Sequence, residues 1–455
     1  MKCLLLLTLP LLMLPVHAAD EPAPTRTPST APADATSDDE PPAASRAKRR
    51  VATRSFRPVL KYGVDDVLVE AGALPDAPEA DNSTTLRASP YVLWQPSRAW
   101  EFRAGLRLDA VSQAGGTASY EEGRADYGDT YLRYRSGDTR LTLGAQTIVW
   151  GRVDAVPVID RVSRVDLSRF VLDDLSERRR AQLAARWEQN FGDHKLDVVL
   201  LPVFRGARLP DTESVWSPID QRRGRVIGVA PSPALEALVS SARIREDDSG
   251  SGGAALRFTK AGGAIDYGLT LARTRQTLPY YRVDLAEQSL TAIYPYNTFA
   301  GGDVEFVTGD YTWRAEIGHT DGVPVTRPDA QMSTTRSLDA VVGVEFFPGG
   351  KDTRVNFQVA ARSLTTDRTI LELKEYYGVN GEVESTFAQG RWQLGMRFFS
   401  GLNVHDLYLS PKLSYLGWEP HEIYLVGRYF NGEARSLGGF HEDHSMIAIG
   451  LSTRF

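Results

Sequence analysis

Trp100-Glu101-Phe102-Arg103-Ala104-Gly105-Leu106-Arg107-Leu108-Asp109-Ala110 alternates without a break. Side chains of a strand point in turn to its two faces, so Trp100, Phe102, Ala104, Leu106, Leu108 and Ala110 share one face. Glu101, Arg103, Gly105, Arg107 and Asp109 share the other. The run is long enough for a tilted strand of about 9 to 11 residues to cross a bilayer. Charges at every second position would be intolerable in the dry core of a sandwich. They suit a water-filled lumen enclosed by a sheet whose outer wall touches lipid.

The pattern recurs along the chain. Leu141, Leu143, Ala145, Thr147 and Val149 oppose Arg140, Thr142, Gly144 and Gln146; Tyr311, Trp313, Ala315 and Ile317 oppose Thr312, Arg314, Glu316 and Gly318. Leu338 to Phe346, Val355 to Arg362 and Arg391 to Phe398 repeat it, with Asp339, Arg354, Arg362 and Arg397 among the inward positions. Connections alternate between tight and long. Ser97-Arg98, Ser136-Gly137-Asp138, Lys260 to Gly263, Thr308-Gly309-Asp310 and Pro348 to Asp352 have hairpin chemistry. Trp150 to Arg178, Arg205 to Gly253 and Gln276 to Thr298 are long and polar. The expected fold is therefore all-β, a transmembrane antiparallel β-barrel occupying residues 56–455 with an inward-folded loop. With both ends on one side the strand number is even. Ser363 to Leu416 must supply one strand or three, which gives about 16 or 18 in all. The larger count is favoured, with Thr369 to Lys374 descending and Phe387 to Phe399 ascending.

The two ends agree with this reading. Ile447, Ile449, Leu451 and Phe455 alternate with Ala448, Gly450, Ser452 and Arg454, with Thr453 the weak position on the apolar face. A chain that stops on Phe455 at the end of such a strand resembles the closing strand of bacterial outer-membrane barrels. Met1-Lys2-Cys3, the apolar run Leu4 to Leu14 and Val16-His17-Ala18-Ala19 read as a cleaved secretory signal peptide, residues 1–19. Cys3, the only cysteine, leaves with it, so the exported chain has neither a disulfide framework nor a thiolate metal cage. Residues 20–55, rich in Pro, Ala, Ser and Thr, form a disordered periplasmic linker running from Asp38-Asp39-Glu40 to Arg46-Ala47-Lys48-Arg49-Arg50. It is a solvated tether or a docking segment for a periplasmic export partner. The net charge of -6 and mean hydropathy of -0.28 fit a barrel with a polar lumen as well as a soluble protein. No run is long and apolar enough for a transmembrane helix.

A barrel this wide leaves an open channel unless something fills it. The stretch after the strand ending at Val149 reads Trp150-Gly151-Arg152-Val153-Asp154, then Asp160-Arg161-Val162-Ser163-Arg164-Val165-Asp166-Leu167-Ser168-Arg169-Phe170, then Asp173-Asp174 and Arg178-Arg179-Arg180. It is too apolar for a freely waving loop and fits one or two short helices or turns folded against the wall. Gly144, Gln146, Trp150, Gly151, Arg152 and Asp154, with Leu201-Pro202-Val203-Phe204 and Leu209-Pro210, resemble a family of Gram-negative outer-membrane barrels often found with export systems of the resistance-nodulation-division type. The likeness is good over Gly144 to Pro218 and looser from Tyr294 to Glu316. It implies a porin-like or export channel and supplies no substrate.

Arg152, Arg161, Arg164, Arg169, Arg178, Arg179 and Arg180, with Trp150, are thus expected to line a constriction that favours anions. Asp154, Asp160, Asp166, Asp173 and Asp174 would fix their direction. The competing reading is that these charges pair and hold a plug against lumen carboxylates such as Glu101, Asp109, Glu316 and Glu345. An Arg without its own carboxylate discriminates between the two. His441-Glu442-Asp443-His444 could in principle bind a metal, but an exposed loop lacks the groups that orient such ligands. His194, His319, His405 and His421 have no nucleophile motif beside them, and the residues before Arg57 are too few and too polar for the plug domain of an energised receptor. The expected partners are outer-membrane lipid and a small-molecule solute, with no nucleic acid, cofactor, metal or enzyme activity. The alternative is a closed barrel acting as a scaffold through its loops or tail, and an outer-membrane enzyme ranks below both.

Overall fold

The computed structural model describes residues 56–153, 157–174 and 177–454. The signal peptide and linker expected in residues 1–55, Asp154, and the terminal Phe455 lie outside the described residues. Eighteen antiparallel strands form one closed barrel. Val59–Ala73 pairs on one side with Ala80–Gln95 and on the other with Met446–Arg454, so the first strand closes on the last. The fourth wall strand is broken into Tyr120–Tyr127 and Thr130–Ser136, both paired with Trp100–Gly115.

The alternation sets the orientation of every strand. Leu106, Leu269 and Ile447 on the apolar face are more than half exposed, whereas Glu101, Asp197 and Glu316 on the polar face are buried. Arg103 bonds Asp65, and Arg354 reaches Glu345 at 2.7 Å, both on the inward side. Aromatic pairs collect near the turn end, among them Trp94 with Phe102, Trp100 with Tyr134, and Trp392 with Tyr415. Such rings belong at a membrane interface. Turns at that end are short, and Gly137 and Gly309 take the left-handed conformation, φ 54° and 59°, that tight reversals need.

One strand assignment is corrected. The descending strand is Glu375–Phe387, paired with Thr353–Thr365 and Trp392–Gly401. Thr369 to Lys374 lies in the preceding loop, where Leu371 donates to the Thr326 carbonyl. Phe387 ends the descending strand rather than beginning the next, because Ala388, Gln389 and Gly390 turn with φ of 51°, 64° and 75°.

The apolar core lies inside the barrel. Ile148, Trp150, Val158, Ile159 and Val162 of the first long loop pack against wall residues Val199, Phe299 and Val341. Phe170, Val171, Trp216, Tyr408, Phe430 and Phe440 form a second cluster. A third joins the helix Pro233–Ser241, capped by Ser232, to the small sheet formed by Arg243–Asp247, Tyr280–Asp284 and Ser289–Ile293. The first two clusters tie loops to wall residues, and the third packs loop residues on one another, which takes their greasy side chains out of water.

Candidate functional site

The first long loop, residues 147–181, folds into the lumen as turns and one short strand pair, Arg164–Val165 with Arg179–Arg180. No helix occurs among its described residues. Trp150 is buried and donates from its indole nitrogen to Asp197 at 2.9 Å. Glu316 of the wall accepts three loop amides, from Arg152 at 2.6 Å, Val153 at 3.2 Å and Ile159 at 2.9 Å. The Arg152 guanidinium turns to Asp303 at 2.5 Å.

Most of the remaining charges are likewise paired. Asp160 meets Arg179. Asp166 holds Arg208 at 3.3 Å and caps the amide of Ser168 at 2.9 Å. Arg169 reaches Glu70 at 2.6 Å and Asp173 at 3.2 Å, while Asp173 also takes Arg87 at 2.7 Å. Glu70 accepts three further bonds, two from Arg428, at 2.8 and 3.0 Å, and one from Tyr424, at 2.8 Å. Asp174 meets Arg397, and Arg180 meets Asp126 at 3.3 Å. Burial raises the Asp173 carboxyl, but Arg169 and Arg87 more than reverse this and hold it below the ordinary carboxylate range. Asp166 is held low in the same way, against its burial, by Arg107 and Arg208.

Arg164 and Arg178 have no carboxylate partner among the described residues, yet both are almost wholly buried. Arg164 donates to the Ser163 carbonyl at 2.9 Å and lies 5.1 Å from the Phe204 ring centre. Arg178 donates to the carbonyls of Asp173, at 2.8 Å, and Val171, at 3.3 Å. Burial lowers both guanidiniums to about 10. They brace the loop's own backbone. Arg161 differs: it lines two adjoining cavities, lies 4.1 Å from the Phe299 ring centre, and among the described residues pairs only with Asp339, at 3.9 Å.

Of the lumen carboxylates named from sequence, Glu316 grips the loop backbone and Asp109 touches Arg208 of the second long loop at 3.9 Å. Glu101 and Glu345 pair with arginines of the wall itself. Sequence reasoning missed Glu70, Asp126, Asp197 and Asp303 as anchors. Strand alternation points Asp197 and Asp303 inward, but gives no sign of which loop residue each will meet. The last long connection is also corrected: His441 and His444 are buried, their Nδ1 atoms 2.9 Å apart, with Glu79 at 3.3 Å from His444 Nε2. Trp216 and Phe430 pack around His441, so that segment is part of the interior and not an exposed loop.

A wall with a lipid-facing apolar band, a charged inner face and loops turned inward is the architecture of an outer-membrane barrel. The solved structure of Acinetobacter baumannii OccAB1 is similar, with a TM-score of 0.51 at 8% identity over 88% of this chain and 96% of that one. Pseudomonas aeruginosa OccK5 (OpdH) aligns with a TM-score of 0.48 at 8% identity, over 86% of this chain and 97% of that one. The chain belongs to the family described as Protein of unknown function (DUF1302), which matches residues 45–398. No curated protein matches it.

Proposed function

We propose that the protein is an outer-membrane channel passing or exporting small anionic or amphipathic solutes, with a lumen narrowed by the segment 150–180. The observation that carries this is the inner space left around that segment. A cavity of about 450 Å³ on the loop side is lined by Arg124, Arg180, Arg208 and Arg245 against Asp211, Glu246 and Asp248, whereas in one of about 260 Å³ on the turn side carboxylates outnumber the cations. On the loop side the guanidiniums are in excess, and in a narrow, weakly screened passage that excess favours anions. Purified protein in planar bilayers should give stepwise conductance with a reversal potential favouring anions, moving towards zero in Arg161→Ala. Folded protein that never conducts would end this reading.

The density of ties between loop and wall favours a second one, a closed scaffold that works through a partner. Removal of residues 150–174 would then leave function intact, and a tail of residues 20–50 would retain a periplasmic export component in a pull-down. On the channel reading the same deletion enlarges the conductance.

A further inference from the structure

The two cavities that meet at Arg161 measure about 100 Å³ and 90 Å³ and share Arg161, Val323, Pro324, Asp339 and Arg362. The lumen of a barrel is ordinarily polar. The first cavity departs from that, being walled by Val158, Val323, Leu364, Phe399, Val404 and Leu437. Where it joins the second, Arg161 and Arg362 both approach Asp339, at 3.9 and 3.5 Å. These separations are too long for hydrogen bonds. Neither guanidinium donates one to any described residue, and the Arg161 Nε is buried without a partner.

Asp160, which also lines that end, is taken by Arg179, so Asp339 alone faces the guanidiniums of Arg161 and Arg362 and positive charge is in excess there. The other acids lining the apolar cavity are already engaged. Glu372 accepts the Thr326 amide at 2.8 and 2.9 Å, and Asp406 accepts the Gly438 amide at 2.8 Å. Arg435 is matched by Glu433 at 3.2 Å. The joined cavities therefore combine an apolar chamber with planar donors that have nothing to bind. Such donors suit a carboxylate, which can take two of them at once.

We infer that this is a seat for an amphipathic carboxylate, its apolar body against Leu364 and Phe399 and its carboxylate bridging Arg161 and Arg362. The inference names the solute class of the proposed channel and rests on that reading for transport, but not for binding. The test is saturation-transfer NMR on the protein in nanodiscs, with 4-phenylbutyrate, acetate, 4-phenylbutanol and 4-phenylbutylamine as probes. Phenylbutyrate should bind best. Arg161→Gln with Arg362→Gln should weaken it about tenfold, as expected for losing charge-assisted hydrogen bonds, while leaving phenylbutanol unchanged. Leu364→Asn should weaken both, and it tests the chamber separately if the double variant does not fold. Acetate or the amine binding as well as phenylbutyrate, or phenylbutyrate indifferent to whichever variants fold, would overturn the assignment. Binding without conductance would leave the seat standing and remove the channel. Conductance without binding would do the reverse.

Discussion

Two places where a loop arginine meets the wall show opposite outcomes from the same residue types. At Glu70, the guanidiniums of Arg169 and Arg428 and the hydroxyl of Tyr424 all lie between 2.6 and 2.8 Å from the carboxylate, and every member is buried. At Asp339, Arg161 and Arg362 stand off at 3.9 and 3.5 Å and keep their donors. Desolvated ions must be paired to be tolerated, and at the first site both guanidiniums bond the carboxylate directly, although Arg169 Nε and Nη1 and Arg428 Nε find no hydrogen-bond partner, so it is an anchor. The second holds charge whose bonding capacity is unspent. Counting arginines along the segment therefore does not locate selectivity, whereas finding guanidiniums beside a cavity that make no hydrogen bond to any described residue does.

The sharpest way to break the contrast is Glu70→Ala, which leaves Arg169 and Arg428 buried and facing one another. It should cost about 3–5 kcal/mol in urea unfolding followed by tryptophan fluorescence. A loss below about 1 kcal/mol would mean that the anchor does not hold the loop. A smaller effect is expected from acid. The Asp173 carboxyl is depressed below its unfolded value of 3.8, so its contribution is complete above that pH and lost only as pH falls through the lower folded value. Asp173's share of loop docking, read as single-channel conductance, should stay constant down to about pH 4, and any change above that belongs to Glu177, whose carboxyl is raised by burial, Asp174 and Asp173. The least effect on stability belongs to Asp339→Asn. Loose pairs are worth about 0–1 kcal/mol, so unfolding should barely change while anion preference in the reversal potential rises. A large destabilisation there would make Asp339 a second anchor and erase the distinction.

The wall was legible in the sequence because alternation in Trp100 to Ala110 is a local property, fixed by neighbouring residues. It failed at Glu375–Phe387, where Asn380-Gly381 imitates a hairpin turn and Gly381 interrupts the apolar face between Val379 and Val383. Thr369 to Lys374 looked like a strand because Leu371 and Leu373 alternate with charged neighbours. The inward fold of residues 150–180 was also readable, since Val153, Val162, Val165 and Phe170 needed somewhere dry. Their ion pairs were not. Arg169 with Glu70 and Asp173 with Arg87 join positions far apart in the chain, and no periodicity records such distances. Hence Arg164 and Arg178, which satisfy the criterion of lacking a carboxylate, prove to be braces, while Arg161 is distinguished by what it faces.

The fastening of the inward segment has a bearing on how the molecule is put together. One group of its ties lies at the seam: Glu70 sits in the first strand, Arg428 in the penultimate one, and Arg454, in the last, meets Glu177. Since Val59–Ala73 joins Met446–Arg454 only when the cylinder shuts, the full set of clasps exists only in the finished molecule. Maturation of the interior is thereby made contingent on the arrival of the last strand, and a chain stalled before that step would lack the latch on its inward segment.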